Sequence, residues 1–373
     1  MGPNFASPAR SERTTAVLGV AVGVLFGVCL LTGLLSHLIQ QPPGWFDWPS
    51  RPVWLYRWSQ GLHVFCGVAA IPVLLAKLWS VYPNLYRWPP VRGVAHAIER
   101  AGIVPLLGGA LLLLVTGMMN IAYWYGWGFD FIRTHYWTAW IVTGALVVHL
   151  SAKLPVLRRA LAGRHAAADA VGGLERRRFL VATGAAAGAL LLVTAGEAFT
   201  PLRRLAVLSP RRQGVGLQGL PVNKDAASAG VAGKLDDPGW RLAVGGRVTR
   251  PASLSLTDLQ ARMAGPMGHA ARLPIACVEG WSQEAHWRGV RLRDLLEEAG
   301  APAAAAVRVR SLQRGGYSSS LLNPAHARDP DTMLALELNG APLHPDHGFP
   351  VRLIAPSNPG VMQTKWLESV TVQ

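Results

Sequence analysis

Five apolar stretches dominate the first half of this 373-residue sequence, near Thr15 to Leu38, Trp58 to Trp79, Ile103 to Trp124, Tyr136 to Leu157 and Phe179 to Ala195. A helix needs about 20 apolar residues to cross a bilayer, and only a helix or closed barrel satisfies its own backbone there. All five approach or exceed that length; the last is the shortest and is rich in Ala and Gly. The chain is therefore expected to begin as a five-span helical bundle, multi-pass in the cell membrane. Composition agrees, since 50% of residues are hydrophobic and only 15% charged, too apolar for an ordinary soluble protein.

Arginine placement orients the bundle. Arg10 and Arg13 precede the first span, Arg87, Arg92 and Arg100 separate the second from the third, and Arg158, Arg159, Arg164 and Arg176 to Arg178 precede the fifth. Basic connections stay in the cytoplasm, so the amino terminus is expected inside and everything after the fifth span outside. Trp45, Trp48, Trp54 and Trp58 on one connection, with Trp124 and Trp127 on another, fit an outer aromatic belt. The net charge of +15 does not point to nucleic acid, because no basic stripe interleaved with stacking aromatics occurs; lipid is the expected partner. Arg176-Arg177-Arg178-Phe179-Leu180 before a weakly hydrophobic run matches a twin-arginine export signal in mid-chain. Gly196-Glu197-Ala198 is a poor cleavage site, so an uncleaved anchor is expected.

The chain divides on this pattern into a membrane domain over 1–160, an arginine-rich linker and fifth span over 161–200, a connector over 201–221 and an exported domain over 222–373. In the last, Arg241 to Val244, Ala306 to Arg310, Val351 to Ile354 and Val370 to Val372 are strand-like. Ser255 to Met263 and Leu292 to Ala299 read as helices, the first opened by a Ser or Thr cap and the second stopped by Gly300. A strand-rich α+β domain follows. No internal repeat is apparent.

Histidines within apolar spans are functional candidates by default. His63 lies in the second span, while His135 and His149 bracket the fourth, fourteen residues apart. That is about 21 Å and close to four turns, so both rings leave the helix on nearly one side. The spacing is similar to that of the di-haem cytochrome b membrane subunits, which implies one or two haem b groups held by neutral imidazoles. His63 and His135 are both near the outer ends of their spans. His149 has no clear inner partner, and His37 is at the outer end of the first span. Pairing His63 with His135, His63 with His149, or His37 with His135 all remain open. His96 and His165 stand in arginine-rich connections and are expected to be solvated.

Cys277 is the only cysteine after residue 66, since Cys29 and Cys66 fall inside spans; no disulfide framework exists. A lone thiol is a buried small hydrophobe, a nucleophile or a metal ligand. Its setting favours the last two: a short apolar strand, Leu273 to Ala276, then a polar, Gly-containing turn that leaves the sulfur at a strand end.

Leu273-Pro-Ile-Ala-Cys-Val-Glu-Gly-Trp-Ser282 resembles the molybdenum-cofactor domain of the sulfite oxidase family, most closely the bacterial branch of periplasmic methionine sulfoxide reductases. Gly316-Tyr317-Ser318, Leu336-Glu-Leu-Asn-Gly340, His347-Gly-Phe-Pro-Val-Arg352 and Lys365-Trp-Leu367 recur in the family's order. The resemblance implies a thiolate from Cys277 on molybdenum, with molybdopterin contacted by His347, Arg352, Lys365, Asn223 and Lys224. It implies a phenol, Tyr317, facing the metal, supported by Glu279 and Trp281. His286, Trp287 and Arg288 are candidates for the pocket mouth. The implied activity is oxygen-atom transfer on a small sulfur- or nitrogen-containing substrate, in either direction, with electrons exchanged through membrane haem and quinone. The alternative is a haem-containing electron carrier or sensor whose exported domain does not catalyse.

Overall fold

The structure, a computed structural model, describes residues 7, 9–86, 91–162, 169–194, 200–202, 204–209, 211 and 214–373. Arg87, Arg164, His165 and Gly196-Glu197-Ala198 lie outside the described residues. The apolar stretches become α1 (Glu12–Gln40), α2 (Leu55–Val81), α3 (Val94–Ile121), α4 (Phe131–Ala162) and α5 (Asp169–Thr194). All five are long and apolar enough to cross a membrane. The helices overrun the apolar windows at their polar ends, and α5 begins ten residues before Phe179, with Arg176 to Arg178 inside it. A helix once nucleated extends cheaply through Arg and Ala, which are strong helix formers.

The chain forms two compact units, one of Met1–Gly33 and Leu62–Ala195, the other of Leu34–Gly61 and Gly196–Gln373. In the first, α3 and α4 approach closely at Gly109, where an added Cβ would stand 2.5 Å from Val142 Cγ2. Small residues permit such contact between lipid-embedded helices.

The second unit carries ten strands and three short helices: β1 (Leu242–Gly246), β2 (Ala252–Leu254), α6 (Leu256–Ala264), β3 (Gly268–Ala276), β4 (Ser282–Arg291), α7 (Leu292–Glu298), β5 (Val307–Ser311), β6 (Ser319–Leu322), α8 (Pro324–Ala327), β7 (Met333–Leu338), β8 (Ala341–Pro342), β9 (Arg352–Ile354) and β10 (Leu367–Val372). One sheet runs β2-β1-β10-β5-β6, with β1 parallel to β10; the other runs β3-β4-β7-β8, with β9 also paired to β7. The Ser cap expected at α6 forms and is part of a capping box, Ser255 accepting from the Asp258 amide while the Asp258 carboxylate accepts from the Ser255 amide, which satisfies two donors that a helix start leaves over.

Alternation decides which faces are buried. On β4, Ala285 and Trp287 point inward and Glu284, His286 and Arg288 outward, the period of two that a half-buried strand requires. The inward residues join Leu273, Ile275, Met333, Ala335, Leu338, Leu343 and Ile354 in a core that includes Cys277. A second core, built on Leu242, Val244, Val290, Leu295, Val309, Leu334, Leu353 and Val370, joins strands of both sheets with α6 and α7. Strand β3 is longer than its sequence-predicted apolar core because residues 268–272 alternate and pair with β4 along their whole length.

Candidate active site

Cys277 follows β3 directly, and its loop folds back tightly: the Cys277 amide donates to Trp281 O (2.8 Å) and the Gly280 amide to Cys277 O (3.0 Å). The sulfur is 97% buried, its residue keeping 3% of its accessible surface, yet it stands on the wall of a cleft. Asn223 Nδ2 donates to Cys277 Sγ at 3.0 Å. Burial, then the Glu279 carboxylate, push this thiol far above its ordinary range. Only a strong electrophile or metal would draw the proton off.

Asn223, Lys224, Tyr317, Arg352 and Lys365 converge on the same cleft, although 142 positions separate Asn223 from Lys365. Arg352 is buried on β9, donates to His347 O (3.3 Å) and lies 5.4 Å above the Trp287 ring. Among the described residues no carboxylate lies within ion-pair reach of it. Burial draws its guanidinium down to about 10, and proximity to Cys277 opposes that. Lys365 donates to Lys224 O (2.9 Å) and Asp346 O (2.6 Å); burial, then the Arg352 charge, draw its ammonium down to about 7. Gly348 makes this cation pair possible. Its φ is +111°, and a Cβ there would stand 3.1 Å from Lys365 Cβ and 3.2 Å from Arg352 Cβ, a left-handed and crowded position that suits glycine.

His347 is not on the wall. Its Nε2 donates to Leu217 O at 2.6 Å from a fully packed position, and burial holds the ring down at about 4, so it is neutral at physiological pH. His286, Trp287 and Arg288 do not line the cleft either: Trp287 is buried beneath Arg352, and Arg288 pairs with Glu337 on the outer face. Sequence inspection missed Ser311, Gln313, Gln363 and Thr364, which complete the wall. Tyr317 sits at φ +60° and is half exposed at the rim.

Polar atoms left over in this cleft test what it was shaped to hold. Arg352 Nε, Gln363 Oε1 and Trp281 Nε1 are buried without a hydrogen-bond partner. Orphaned buried groups of this kind are rare and mark a missing ligand. Two buried cations, one unpaired acceptor and a soft sulfur suit an anionic, hydrogen-bonding cofactor that carries a thiophilic metal. Among the described residues no cluster of three His, Cys, Asp or Glu could hold a metal by itself, so a metal here would come with its own ligands.

The Leu34–Gly61 connection is built into this unit. Trp48 Nε1 donates to Ser357 O (2.8 Å), Asn323 Nδ2 to Trp48 O (3.0 Å), and Gln60 Nε2 to Val278 O (2.7 Å), next to the cysteine. Arg51 reaches Asp329 at 2.9 Å through two nitrogens and Asp331 at 2.5 Å. Tyr56 and Ile39 pack on Ala276. His37, in the last turn of α1, belongs to this unit but not to the cleft.

In the first unit, the His63 and His135 ring centroids are 6.2 Å apart. His63 Nδ1 donates to Cys29 O (3.0 Å) and meets Thr32 Oγ1 (3.1 Å), whose own hydrogen goes to Val28 O (2.7 Å). His135 Nδ1 meets Thr116 Oγ1 (2.9 Å), whose hydrogen goes to Leu112 O (2.7 Å). His63 Nδ1 therefore carries the proton, leaving its Nε2 a lone pair, and His135 can take the same tautomer. His149 lies fourteen residues further along α4.

The cleft, with its strand-end thiol, buried cations and orphaned polar atoms, has the make-up of a cofactor site. Residues 229–373 match the model of the oxidoreductase molybdopterin binding domain. The chain is 32% identical to nitrate reductase [NAD(P)H] of Hordeum vulgare over 38% of this chain and 19% of that protein. It is 33% identical to the uncharacterized oxidoreductase YuiH of Bacillus subtilis over 35% and 64%, and 40% identical to human mitochondrial sulfite oxidase over 24% and 18%. It spans less than two-thirds of the length of each. The C-terminal part of the chain is a molybdopterin-binding oxidoreductase domain of the sulfite oxidase family; α1 to α5 lie outside the matched residues.

Proposed function

We propose that this chain is a membrane-anchored oxidoreductase that moves an oxygen atom to or from a small neutral sulfur or nitrogen compound, a sulfoxide or N-oxide fitting best. The observation that carries this is the Cys277 sulfur in a cleft that buries two cations, Arg352 and Lys365, the first with an unpartnered Nε. Molybdopterin, when bound, supplies the two-electron oxygen exchange. Cys277 would be the protein ligand to the metal, held in place by the Asn223 amide. Arg352, Lys365 and Lys224 would take the cofactor's anionic groups. With these three committed, the described cleft wall keeps no further cation for an anionic substrate, while Leu220, Pro221, Ile275 and Val361 leave it apolar. Tyr317 at the rim would donate to the substrate oxygen.

Electrons would arrive through a haem b between His63 and His135, from quinone in the bilayer. Two imidazoles on one iron, each with a bond of about 2 Å plus half its own ring, place their centroids roughly 6 Å apart, in keeping with the spacing in α2 and α4. Second partners on Nδ1 fix the tautomer that ligation requires. Arg176 to Arg178 fit twin-arginine export of the folded C-terminal domain, which would leave it on the extracytoplasmic side.

Metal analysis and an optical spectrum of the detergent-solubilised chain test this directly. About one molybdenum per chain and a haem b band are expected, with dimethyl sulfoxide or trimethylamine N-oxide turned over in preference to sulfite. Cys277→Ser should abolish turnover and strip the metal. Full activity in that variant, or a molybdenum-free preparation from a competent host, overturns the proposal.

A further inference from the structure

The His63–His135 station has a counterpart fourteen residues deeper. Helices α2 and α4 are separated by one intervening span, so they run in the same direction if all cross, and a step of fourteen residues on each moves about 21 Å with almost no rotation. From His63 that step reaches Lys77, and from His135 it reaches His149. Lys77 and His149 do lie within electrostatic reach of one another. Helix α1 runs the other way and repeats in reverse: Gly33 lets His63 in, an added Cβ standing 3.2 Å from His63 Cε1, and Gly19 lets Lys77 in, a Cβ there standing 3.2 Å from Lys77 Nζ.

The deeper station keeps the carbonyl acceptor, Thr15 O in place of Cys29 O, but lacks both threonines that meet the imidazoles in the upper one. Thr32, which meets His63, becomes Leu18; Thr116, which meets His135, becomes Gly102. His149 Nδ1 is accordingly buried with no hydrogen-bond partner. Lys77 Nζ is not a waiting ligand, since it donates to Thr15 O at 2.6 Å. Beside the station, Lys153 is bound to Glu99 at 2.5 Å. An iron ligand needs a lone pair and a fixed orientation; here the lysine nitrogen is held at the Thr15 carbonyl and the His149 ring nitrogen is unsupported.

We infer that the bundle holds a single haem, between His63 and His135, and that Lys77–His149 is an equivalent station closed to haem by the lysine. This rests on the haem proposed above. The test is haem content per chain by pyridine haemochrome, with a redox titration, on the full chain and on Lys77→His, with His149→Ala in both backgrounds. The full chain should carry one haem and titrate as one wave. Lys77→His should approach two haems and split the wave; His149→Ala should leave the parent at one and return Lys77→His to one. The upper haem, whose spectrum persists in each of these Lys77 and His149 variants, reports that each has folded. Two haems in the parent, loss of haem on His149→Ala alone, or no gain on Lys77→His with the upper haem intact, each overturns the inference. A parent with no haem at all overturns the haem proposal as well, and His63→Ala separates the cases by removing the upper haem only.

Discussion

At the scale of single residues, the site depends on groups held in their costly states. His347 and His326 are both buried and both held down at about 4, whereas an unfolded imidazole titrates near 6.5. Between those values the unfolded chain binds protons that the folded chain refuses, so stability is complete above about pH 6.5 and drains away as pH falls through about 4. His347→Gln keeps a donor for Leu217 O and removes the titration. The thermal midpoint of the C-terminal unit, followed from pH 7 to 4.5, should then fall less steeply than in the parent. Tyr317 stands half exposed at the rim of the cleft. Tyr317→Phe should lower kcat by roughly a hundredfold, the scale of losing a positioned proton donor, while molybdenum content stays at the parent level. Metal loss together with activity would instead make the phenol part of the cofactor's seat.

At the scale of elements, the connection between α1 and α2 carries more of the catalytic unit than its sequence suggests. Arg51→Met leaves the Asp329 side chain, 2% exposed, without its charged donors, and should cost on the order of 2 kcal/mol. Trp48→Phe removes the bond to Ser357 and should cost about 1 kcal/mol. Both are read as lowered thermal midpoints of the full chain. Hydropathy alone marks the five helices, because a bilayer admits few other solutions. The strand-end cysteine was legible too, since a thiol between an apolar run and a polar turn has few places to go. Trp48 was not: a tryptophan near a span end looks like a belt residue, and only the partner Ser357, 309 positions away, reveals that it is a docking group. The cleft residues Gln313, Gln363 and Thr364 were hidden for the same reason, as isolated polar residues in loops whose neighbours are set by sheet register. On β4, His286, Trp287 and Arg288 read as a pocket mouth because the strand's outward face is polar; the pairing with β3 and β7 makes it a central strand.

At the scale of the whole molecule, the connection Leu34–Gly61 and the tail Gly196–Gln373 share one compact unit, which constrains how the chain threads the bilayer. Both must emerge on one side, so the segment between them has to cross an even number of times. Helices α2, α3, α4 and α5, each long and apolar enough to cross, would supply four crossings. Were α5, the least apolar of the five, to lie along the surface instead, three crossings would remain and the tail would face away from its own connection. The contacts of Arg51, Trp48 and Gln60 thus argue for α5 as a true span independently of its hydropathy. The proposed orientation follows from arginine bias: connections rich in Arg would stay in the cytoplasm, and the shared unit would lie opposite. In intact cells, cysteines introduced by Gly44→Cys and Gln373→Cys should both react with a membrane-impermeant maleimide, and one introduced by Gly93→Cys should react only after permeabilisation. Labelling of Gly44→Cys without Gln373→Cys would reduce the crossings to three and separate the connection from the cleft it braces. Labelling of Gly93→Cys alone would turn the whole chain over and place the oxygen-transfer site in the cytoplasm.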